Sequence, residues 1–155
     1  MKDIKFRGKR IDNNEWIYGY LVKSEDYIFD YSERIDIPYI IPFNNFNLKD
    51  YREYRVEEKT IGQFTELYDK NNTPIYEGDL IDFANEKCPV KYGKYKFSAC
   101  DEYDCERIGY YIETNNVQSY ITSYIRTNTG IPLENICKRY KIVGTIHDEM
   151  WLEKE

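Results

Sequence analysis

The sequence has little of the material from which catalytic and membrane-bound proteins are built. It has one histidine in 155 residues, and it contains neither Gly-x-Gly-x-x-Gly nor Gly-x-x-x-x-Gly-Lys, the two common phosphate-binding loops. No apolar run approaches the ~20 residues of a membrane span, and the start, Met1 to Lys5, lacks the apolar core of a secretory signal. We therefore expect a cytoplasmic protein that does not contact a membrane and does not catalyse a nucleotide-dependent reaction.

Cysteine and histidine are too scattered to predict a metal or nucleophile site. Only Cys100 and Cys105 lie near one another, separated by four residues, whereas Cys88 and Cys137 are distant in sequence. Zinc sites have paired, closely spaced ligands, so we predict free thiols in a reducing compartment. His147 has no recognisable nucleophile beside it. We predict no catalytic residue, no metal and no cofactor.

The charge balance argues against nucleic acid as a partner. The formal net charge is −6, whereas a phosphate backbone requires a concentrated positive field. The candidate for such a field is the basic start of the chain, which comprises Lys2, Lys5, Arg7, Lys9 and Arg10. Its alternation with apolar residues is more typical of one polar face of a strand.

Turn signals between short apolar and aromatic runs predict a mainly β protein. The sequence contains 17 tyrosines, a residue that suits half-buried sheet faces. A hairpin is predicted around Asp12-Asn13-Asn14, with Trp16, Tyr18 and Tyr20 on one face of its second strand. The predicted strands span residues 4–11, 15–22, 27–31, 37–41, 90–92, 107–113, 119–125 and 140–146, with one or two helical turns at 133–139. We expect the proline-containing 37–41 run to be an edge strand or a loop.

Two lobes are expected. Residues 49–59 are densely charged, which suggests a separator between an N-terminal hairpin lobe, residues 1–59, and a C-terminal domain, residues 60–155. The spacing of strands in the second lobe indicates a small barrel or sandwich. The stretch from Glu77 to Phe83, a glycine turn leading into a strand, looks like the first-strand entry of an SH3-like barrel.

Three stretches of the sequence together resemble the YopX family of phage and prophage proteins. They are Ile4-Lys5-Phe6-Arg7-Gly8-Lys9, the run from Val56 to Ile81, and Ile142-Val143-Gly144-Thr145-Ile146-His147-Asp148. The positions that carry the motif are Gly62, Gln63, Asp69, Asn72, Tyr76, Glu77, Gly78, Asp79 and Gly144. The resemblance implies a phage-derived gene and a bacterial host's cytoplasm, and it does not imply a reaction.

Departures from the family pattern affect the turns. Asn72 stands where the family usually has glycine, and asparagine tolerates positive φ, so we expect that turn to persist. Glu66 stands at another common glycine position, which leaves a tight bend there unsupported. Thr145 and His147 replace an expected asparagine and tyrosine, so neither is assigned as a family site. We predict a positive φ or a close approach at Gly78.

Two groups of acidic residues have alternative interpretations. Glu66, Asp69, Glu77 and Asp79 could cluster around a turn as the ligands of a metal-assisted hydrolase, although turns use the same residues to accept backbone hydrogen bonds. The acidic run at 101–106 is typical of a solvated loop tip. Its alternative is DNA mimicry by a phage inhibitor.

The sequence favours a non-catalytic interaction module over two other functions. Those alternatives are a nucleic-acid-associated accessory factor, acting through the basic start, and the metal-assisted hydrolase. The expected partners are a host or phage protein and a second copy of the chain. For self-association the candidate interface is the face formed by Trp16, Tyr18 and Tyr20, because interfaces favour Trp and Tyr near their centres.

Overall fold

The computed structural model describes residues 4–27, 34–43, 53–100, 103–114 and 129–148. Within these ranges the chain forms ten strands and one four-residue α-helix. The strands are β1 (Phe6–Lys9), β2 (Trp16–Tyr27), β3 (Arg34–Pro42), β4 (Gly62–Tyr68), β5 (Pro74–Tyr76), β6 (Asp79–Phe83), β7 (Glu86–Cys100), β8 (Tyr103–Thr114), β9 (Thr129–Pro132) and β10 (Ile142–Thr145). The helix is α1 (Leu133–Ile136), and a 3-10 turn spans Glu58–Thr60. The prediction of a mainly β protein is confirmed.

The chain forms two compact units, Met1–Phe64 and Thr65–Glu155. Strand β4 runs through the division, which lies a few residues beyond the boundary expected from the sequence, between residues 59 and 60. In the first unit β1 pairs antiparallel with both β2 and β4, and β2 pairs with β3. Strand order in this unit is β3-β2-β1-β4.

The predicted opening hairpin is confirmed. Residues of β1 and β2 pair from Phe6–Gly19 to Lys9–Trp16, and the connecting turn places Asn14 at a φ of 60°, a conformation that asparagine tolerates. Strand β3 lies at the end of the strand order, as Pro38 and Pro42 predicted, because proline cannot donate to a sheet ladder.

The interpretation of residues 49–59 as a separator is wrong for the part that the structure describes, residues 53–59. Tyr54 and Val56 are buried in the first unit. The amide of Val56 donates to the Pro38 carbonyl at 3.1 Å, and the amide of Glu57 donates to the Lys9 carbonyl at 2.9 Å. Charged side chains alternate with buried ones in this extended segment, so a high charge density did not prevent it from packing.

The second unit is built on a five-stranded antiparallel sheet with the order β10-β6-β7-β8-β9. One side packs on a core of buried residues, namely Ile75, Ile81, Phe83, Cys88, Val90, Ile112, Leu133, Ile136 and Cys137. Fully burying one large aliphatic or aromatic side chain contributes about 1.5–3 kcal/mol. No pairing joins β9 to β10 within the described residues, so closure into an SH3-like barrel stays a prediction.

The long β7–β8 hairpin exceeds what the sequence predicted. Its ladder continues from Val90–Ile112 to Cys100–Tyr103, whereas the predicted strands covered only 90–92 and 107–113. Part of the acidic run at 101–106 therefore lies in β8 instead of a loop tip, and residues 101–102 lie outside the described residues. So do the predicted strand at 119–125 and most of the one at 27–31. Strand β10 and helix α1 match their predictions.

Candidate functional site

The turn from Asp69 to Thr73 is organised by one buried carboxylate. Asp69 is 2% exposed, and its Oδ1 accepts hydrogen bonds from the amides of Asn71 and Thr73, both at 2.8 Å. Its Oδ2 accepts one from Ile142 at 3.1 Å. Burial raises the pKa of this carboxyl, but the backbone donors of Thr73, Ile142 and Asn71 outweigh it and the pKa lies below its usual value. Asp69 therefore joins the turn to the start of β10.

The turn between β5 and β6 has the predicted conformation. Gly78 has a φ of 82°, and Oδ2 of Asp79 accepts the Tyr76 amide at 2.8 Å. The Gly78 amide donates to the Val90 carbonyl, and its carbonyl accepts the Ile146 amide, each at 2.9 Å. One glycine thus joins β7 to the end of β10. Asn72, at a φ of 64°, also confirms its predicted turn.

Three other motif positions lie in strand pairing. Gly62 and Gln63 pair with β1, opposite Arg7 and Phe6, and Gly144 pairs with Leu80 at an irregularity in the β10–β6 ladder. These contacts give each of the three residues a place in the strand pairing of the backbone. Whether any residue of the motif also has a functional role stays a prediction.

The four carboxylates at 66–79 do not form a metal-holding group, and none occurs elsewhere among the described residues. Asp69 and Asp79 direct carboxylate oxygens at backbone amides. Glu66 has a φ of 65°, so the tight bend persists there despite the loss of glycine. The Thr65 hydroxyl supports this bend by accepting the Leu67 amide at 3.2 Å and donating to the Ile75 carbonyl at 2.9 Å.

An aromatic surface with acidic neighbours lies on the β7–β8 hairpin. Tyr92 and Ile108 are 57% and 73% exposed. Tyr92 pairs with Tyr110 across the ladder, their ring centroids lie 5.0 Å apart, and Ile108 follows on the same face because side chains alternate along a strand. We call this surface the contact face; it consists of Glu66, Glu77, Tyr92, Ile108 and Tyr110.

Acidic groups influence the chemistry of the contact face. Burial raises the pKa of the Glu77 carboxyl, against the effect of a hydrogen bond from the Tyr92 backbone. Burial raises the pKa of Tyr110 to about 12, helped by the charges of Glu77, Tyr92 and Glu66. The Tyr110 hydroxyl therefore stays neutral at physiological pH. These couplings place the Glu77-Gly78 turn beside the tyrosine pair.

The aromatic face predicted on β2 is partly covered within the first unit. The guanidinium carbon of Arg7 lies 4.5 Å from the Trp16 ring centroid, and Lys9 Nζ lies 5.4 Å from it. Tyr20 makes an edge contact with Phe43 at 5.0 Å. Tyr18 is 44% exposed, so the face keeps one tyrosine open to a partner.

The basic start of the chain makes local contacts. Arg10 forms an ion pair with Asp12 and lies 4.0 Å from Glu53, and Arg7 is 5% exposed. Lys5 Nζ lies 5.3 Å from the Phe43 ring centroid. Because these cations are turned toward neighbours of their own unit, the strand provides less positive surface than the sequence suggested.

The remaining candidate residues are the cysteines and His147. Cys88 and Cys137 are buried free thiols, as predicted, and burial followed by the charge of Glu86 raises the pKa of Cys88 to about 11. The side chains of Cys100 and Cys105 lie outside the described residues. His147 is half-buried, and its amide donates to the Thr145 hydroxyl at 3.2 Å.

Sequence reasoning missed a second basic cluster. Lys70, Arg139 and Lys141 line one groove in the second unit, although Lys70 is distant in sequence from the other two. The available signal was the run Lys138-Arg139-Tyr140-Lys141, three cations and one aromatic in four residues.

Comparison with known proteins gives one result. The family profile described as YopX protein matches residues 5–152, and no curated protein matches the chain. No helix among the described residues is long and apolar enough to cross a membrane. The match covers residues 5–9, 56–81 and 142–148, which is all but the first residue of the three stretches that carry the resemblance. The chain belongs to the YopX protein family.

Proposed function

We propose that this protein is a non-catalytic interaction module, of phage or prophage origin, which acts in the cytoplasm of a bacterial host. The observation that carries the proposal is the contact face on the β7–β8 hairpin. Its partner is a protein that presents lysine or arginine side chains. Two buried free thiols, Cys88 and Cys137, accord with a reducing compartment.

The contact face has the composition of a protein interface. Tyrosine is enriched at interface centres and provides a large, rigid contact area. Ile108, at 73% exposure, gains most from being covered, since burying apolar surface contributes about 25 cal/mol per Å². Glu66 and Glu77 add negative charge beside the tyrosines, and Lys94, opposite Ile108 in the ladder, is paired with Glu106. The negative charge of the two glutamates favours a cationic partner through both ion pairing and cation–π contacts.

The side chains best suited to catalysis are engaged in backbone hydrogen bonds or are buried, and this supports binding over catalysis. Asp69 holds three backbone amides. The raised pKa of Cys88 keeps its thiol protonated at neutral pH, and a thiol must ionise to act as a nucleophile. The nucleic-acid alternative through the N-terminal strand loses support because Arg7 is buried and Arg10 is paired with Asp12.

A matched pair of variants tests the proposal. Ile108→Ser alters the contact face, whereas Ile11→Ser makes the same change at an isoleucine that is 54% exposed in the first unit. Tagged wild-type protein, expressed in a host cell that carries the phage, is used to capture partners after nuclease treatment. We expect a protein partner with a basic segment, retained by Ile11→Ser and weakened about tenfold by Ile108→Ser, a difference of ~1.4 kcal/mol.

Two results would contradict the proposal. Equal retention by both variants would show that the contact face does not carry the interaction. Loss of all captured protein on nuclease treatment would favour the nucleic-acid alternative. Glu77→Gln provides a further check, because removing its charge should weaken a cationic partner most at low salt.

A further inference from the structure

A groove of about 370 Å³ opens on the second unit, and its lining shares no residue with the contact face. Its volume lies within the ~300–1,000 Å³ range of ordinary small-molecule sites. We call it the basic groove. It is lined by Lys70, Asp82, Ala84, Asn85, Arg139, Tyr140 and Lys141. These residues come from the 69–73 turn, from the β6–β7 hairpin and from the segment that precedes β10.

The walls of the basic groove are fixed by backbone hydrogen bonds. The amide of Lys70 donates to the Tyr140 carbonyl at 3.0 Å, and the amide of Asp82 donates to the Lys141 carbonyl at 3.2 Å. Asp69, just before Lys70, accepts the amide of Ile142, just after Lys141. Since the backbone on either side is tied in this way, the ordering cost of ligand binding falls on the side chains and not on the backbone.

The basic groove concentrates positive charge in an acidic protein. It has three cations and one carboxylate, a local charge of +2, in a chain of net charge −6. Lys70, Arg139 and Lys141 are exposed, and within the residues that the structure describes none of them takes part in an ion pair. Three cationic residues lining one groove favour an anion, and arginine binds phosphate oxygens through two donors at once.

The lining of the basic groove includes one aromatic residue, Tyr140. The ring of Tyr140 packs against the buried Phe83, with centroids 4.9 Å apart and the planes tilted by 53°. The tyrosine is half-buried, and it also lines the groove. Asn85 and Asp82 lie in the same lining and offer hydrogen-bonding groups. The groove therefore combines a cationic region with an apolar surface and neutral or acidic acceptors.

We propose that the basic groove binds a nucleotide-sized phosphate ester. Lys70, Arg139 and Lys141 hold the phosphate, the planar organic part lies against Tyr140, and Asn85 or Asp82 bonds a hydroxyl or amino group. A nucleic-acid strand fits less well, because three cations match one phosphate group and strands require a positive surface along several. This site goes beyond the proposed protein contact and requires no phosphate-binding loop, since separate side chains supply the charge.

NMR titration of the full-length protein provides the test. The probes are AMP, GMP, CMP and UMP, with inorganic phosphate and adenosine as the two halves of the ligand. We expect at least one mononucleotide to shift the amide signals of residues 70, 82–85 and 139–141. That mononucleotide should bind about tenfold more tightly than inorganic phosphate, and adenosine should bind more weakly still.

Variants separate the site from general charge effects. Arg139→Ala and Lys141→Ala should each weaken mononucleotide binding about tenfold, the scale of a charge-assisted hydrogen bond. Lys94→Ala removes the same charge from an exposed position paired with Glu106 and should leave binding unchanged. All three are surface positions, and the unchanged amide spectrum of each free variant verifies its fold.

Each contrary result overturns the proposal. Absence of shifts with all four mononucleotides would exclude the ligand class. Equal affinity for inorganic phosphate and mononucleotides would leave only a simple anion site. Equal weakening by Lys94→Ala would indicate nonspecific charge. A single-stranded oligonucleotide that binds much more tightly than any mononucleotide, with affinity falling steeply with salt, would assign the groove to nucleic acid.

Discussion

Gly78 is held in a conformation that other residues adopt only under strain. Its φ is 82°, and an added Cβ would lie 3.5 Å from the nearest Ile146 atoms, an ordinary contact distance. The cost of a substitution therefore comes from the backbone conformation and not from a clash. Gly78→Val should lower the free energy of unfolding by about 1–3 kcal/mol.

Urea denaturation measures this effect, with Gly109→Val as the control. Gly109 also lies in the second unit, but nothing stands within 4 Å of its added Cβ and its φ is not positive. We expect the control to change stability by no more than about 0.5 kcal/mol. Equal stability of the two variants would show that the 78 turn is not a structural requirement.

Asp69 should make stability depend on acid pH. Its pKa is lowered in the folded protein, so its contribution is present above the unfolded pKa of about 3.9 and is lost as pH falls through the folded value. In the Asp69→Asn variant only one side-chain oxygen remains to accept hydrogen bonds, and the new NH2 group cannot accept any from the three backbone donors. This loss costs about 1–3 kcal/mol. We therefore expect a lower Tm near neutral pH and a flatter decline of Tm below pH ~4.

Asp12→Asn is the matched control for this pH dependence. Asp12 also has a lowered pKa, caused chiefly by a hydrogen bond from Arg10, but it is exposed. Solvent screening leaves such a surface pair with little effect on stability. If the two variants have the same Tm profile between pH 2 and pH 7, Asp69 does not fasten β10 to the turn.

The backbone conformation of two turn residues, Gly78 and Asn72, could be predicted from the sequence. Residue type and the family's turn pattern predict a positive φ at Asn72 and either a positive φ or a close approach at Gly78, and both residues have a positive φ. Glu66 could not be assigned in the same way, because glutamate has no intrinsic preference for its φ of 65°. The bend is stabilised by the Thr65 hydroxyl, which bonds Leu67 and Ile75, and the second of these contacts exists only once β5 has paired.

At the scale of elements, β9 depends on a close approach between backbone and rings. Tyr95 and Tyr111 stack with centroids 4.6 Å apart and planes 18° from parallel. Gly130 lies under this stack, where an added Cβ would be 2.6 Å from Tyr95 Cδ2 and 2.9 Å from Tyr111 Cδ2. No side chain fits there without moving the rings or the strand.

Gly130→Ala should therefore separate β9 from β8. Overpacking of this kind costs typically about 1–3 kcal/mol, and the damage should be local. Hydrogen exchange should accelerate at the amides of 129–131 and 111–114, while those of β1 and β2 in the first unit keep their protection. Gly109→Ala, in open space on β8, serves as the control. Uniform acceleration throughout the chain would contradict this local account.

Element positions were better predicted than element lengths. The β7–β8 hairpin extends far beyond the predicted 90–92 and 107–113. Gly93, which directly follows the first of these and lies opposite Gly109, interrupts the apolar alternation of β7. Cross-strand pairs beyond them, such as the ion pair of Lys94 with Glu106, continue the ladder with charged residues. A single strand read alone does not reveal such a partner.

For the molecule as a whole, net charge is a poor guide to local surfaces. The chain is acidic at −6, yet Arg139 and Lys141 meet Lys70 in one groove. The backbone hydrogen bond from the Lys70 amide to the Tyr140 carbonyl brings these distant segments together. Composition alone could not predict a compact cluster that depends on tertiary pairing.

The homo-oligomer expected from the sequence stays a prediction, with a smaller interface than Trp16, Tyr18 and Tyr20 suggested. Arg7 and Lys9 cover part of Trp16 within the first unit. Tyr18 and Val22, at 44% and 45% exposure, remain open on the same face of β2. A second copy would cover these two side chains in a symmetric contact, stabilised mainly by apolar burial.

Light scattering at micromolar concentration measures the oligomeric state. We expect a mass of about twice 18.8 kDa for a two-fold dimer, the commonest closed assembly. Tyr18→Ser with Val22→Ser should shift the protein to monomer, whereas Ile4→Ser with Ile11→Ser, which removes two other exposed side chains of the first unit, should not. A wild-type monomer of 18.8 kDa at all concentrations would reject the β2 face as an interface, since Arg7 and Lys9 would then be cover enough for Trp16.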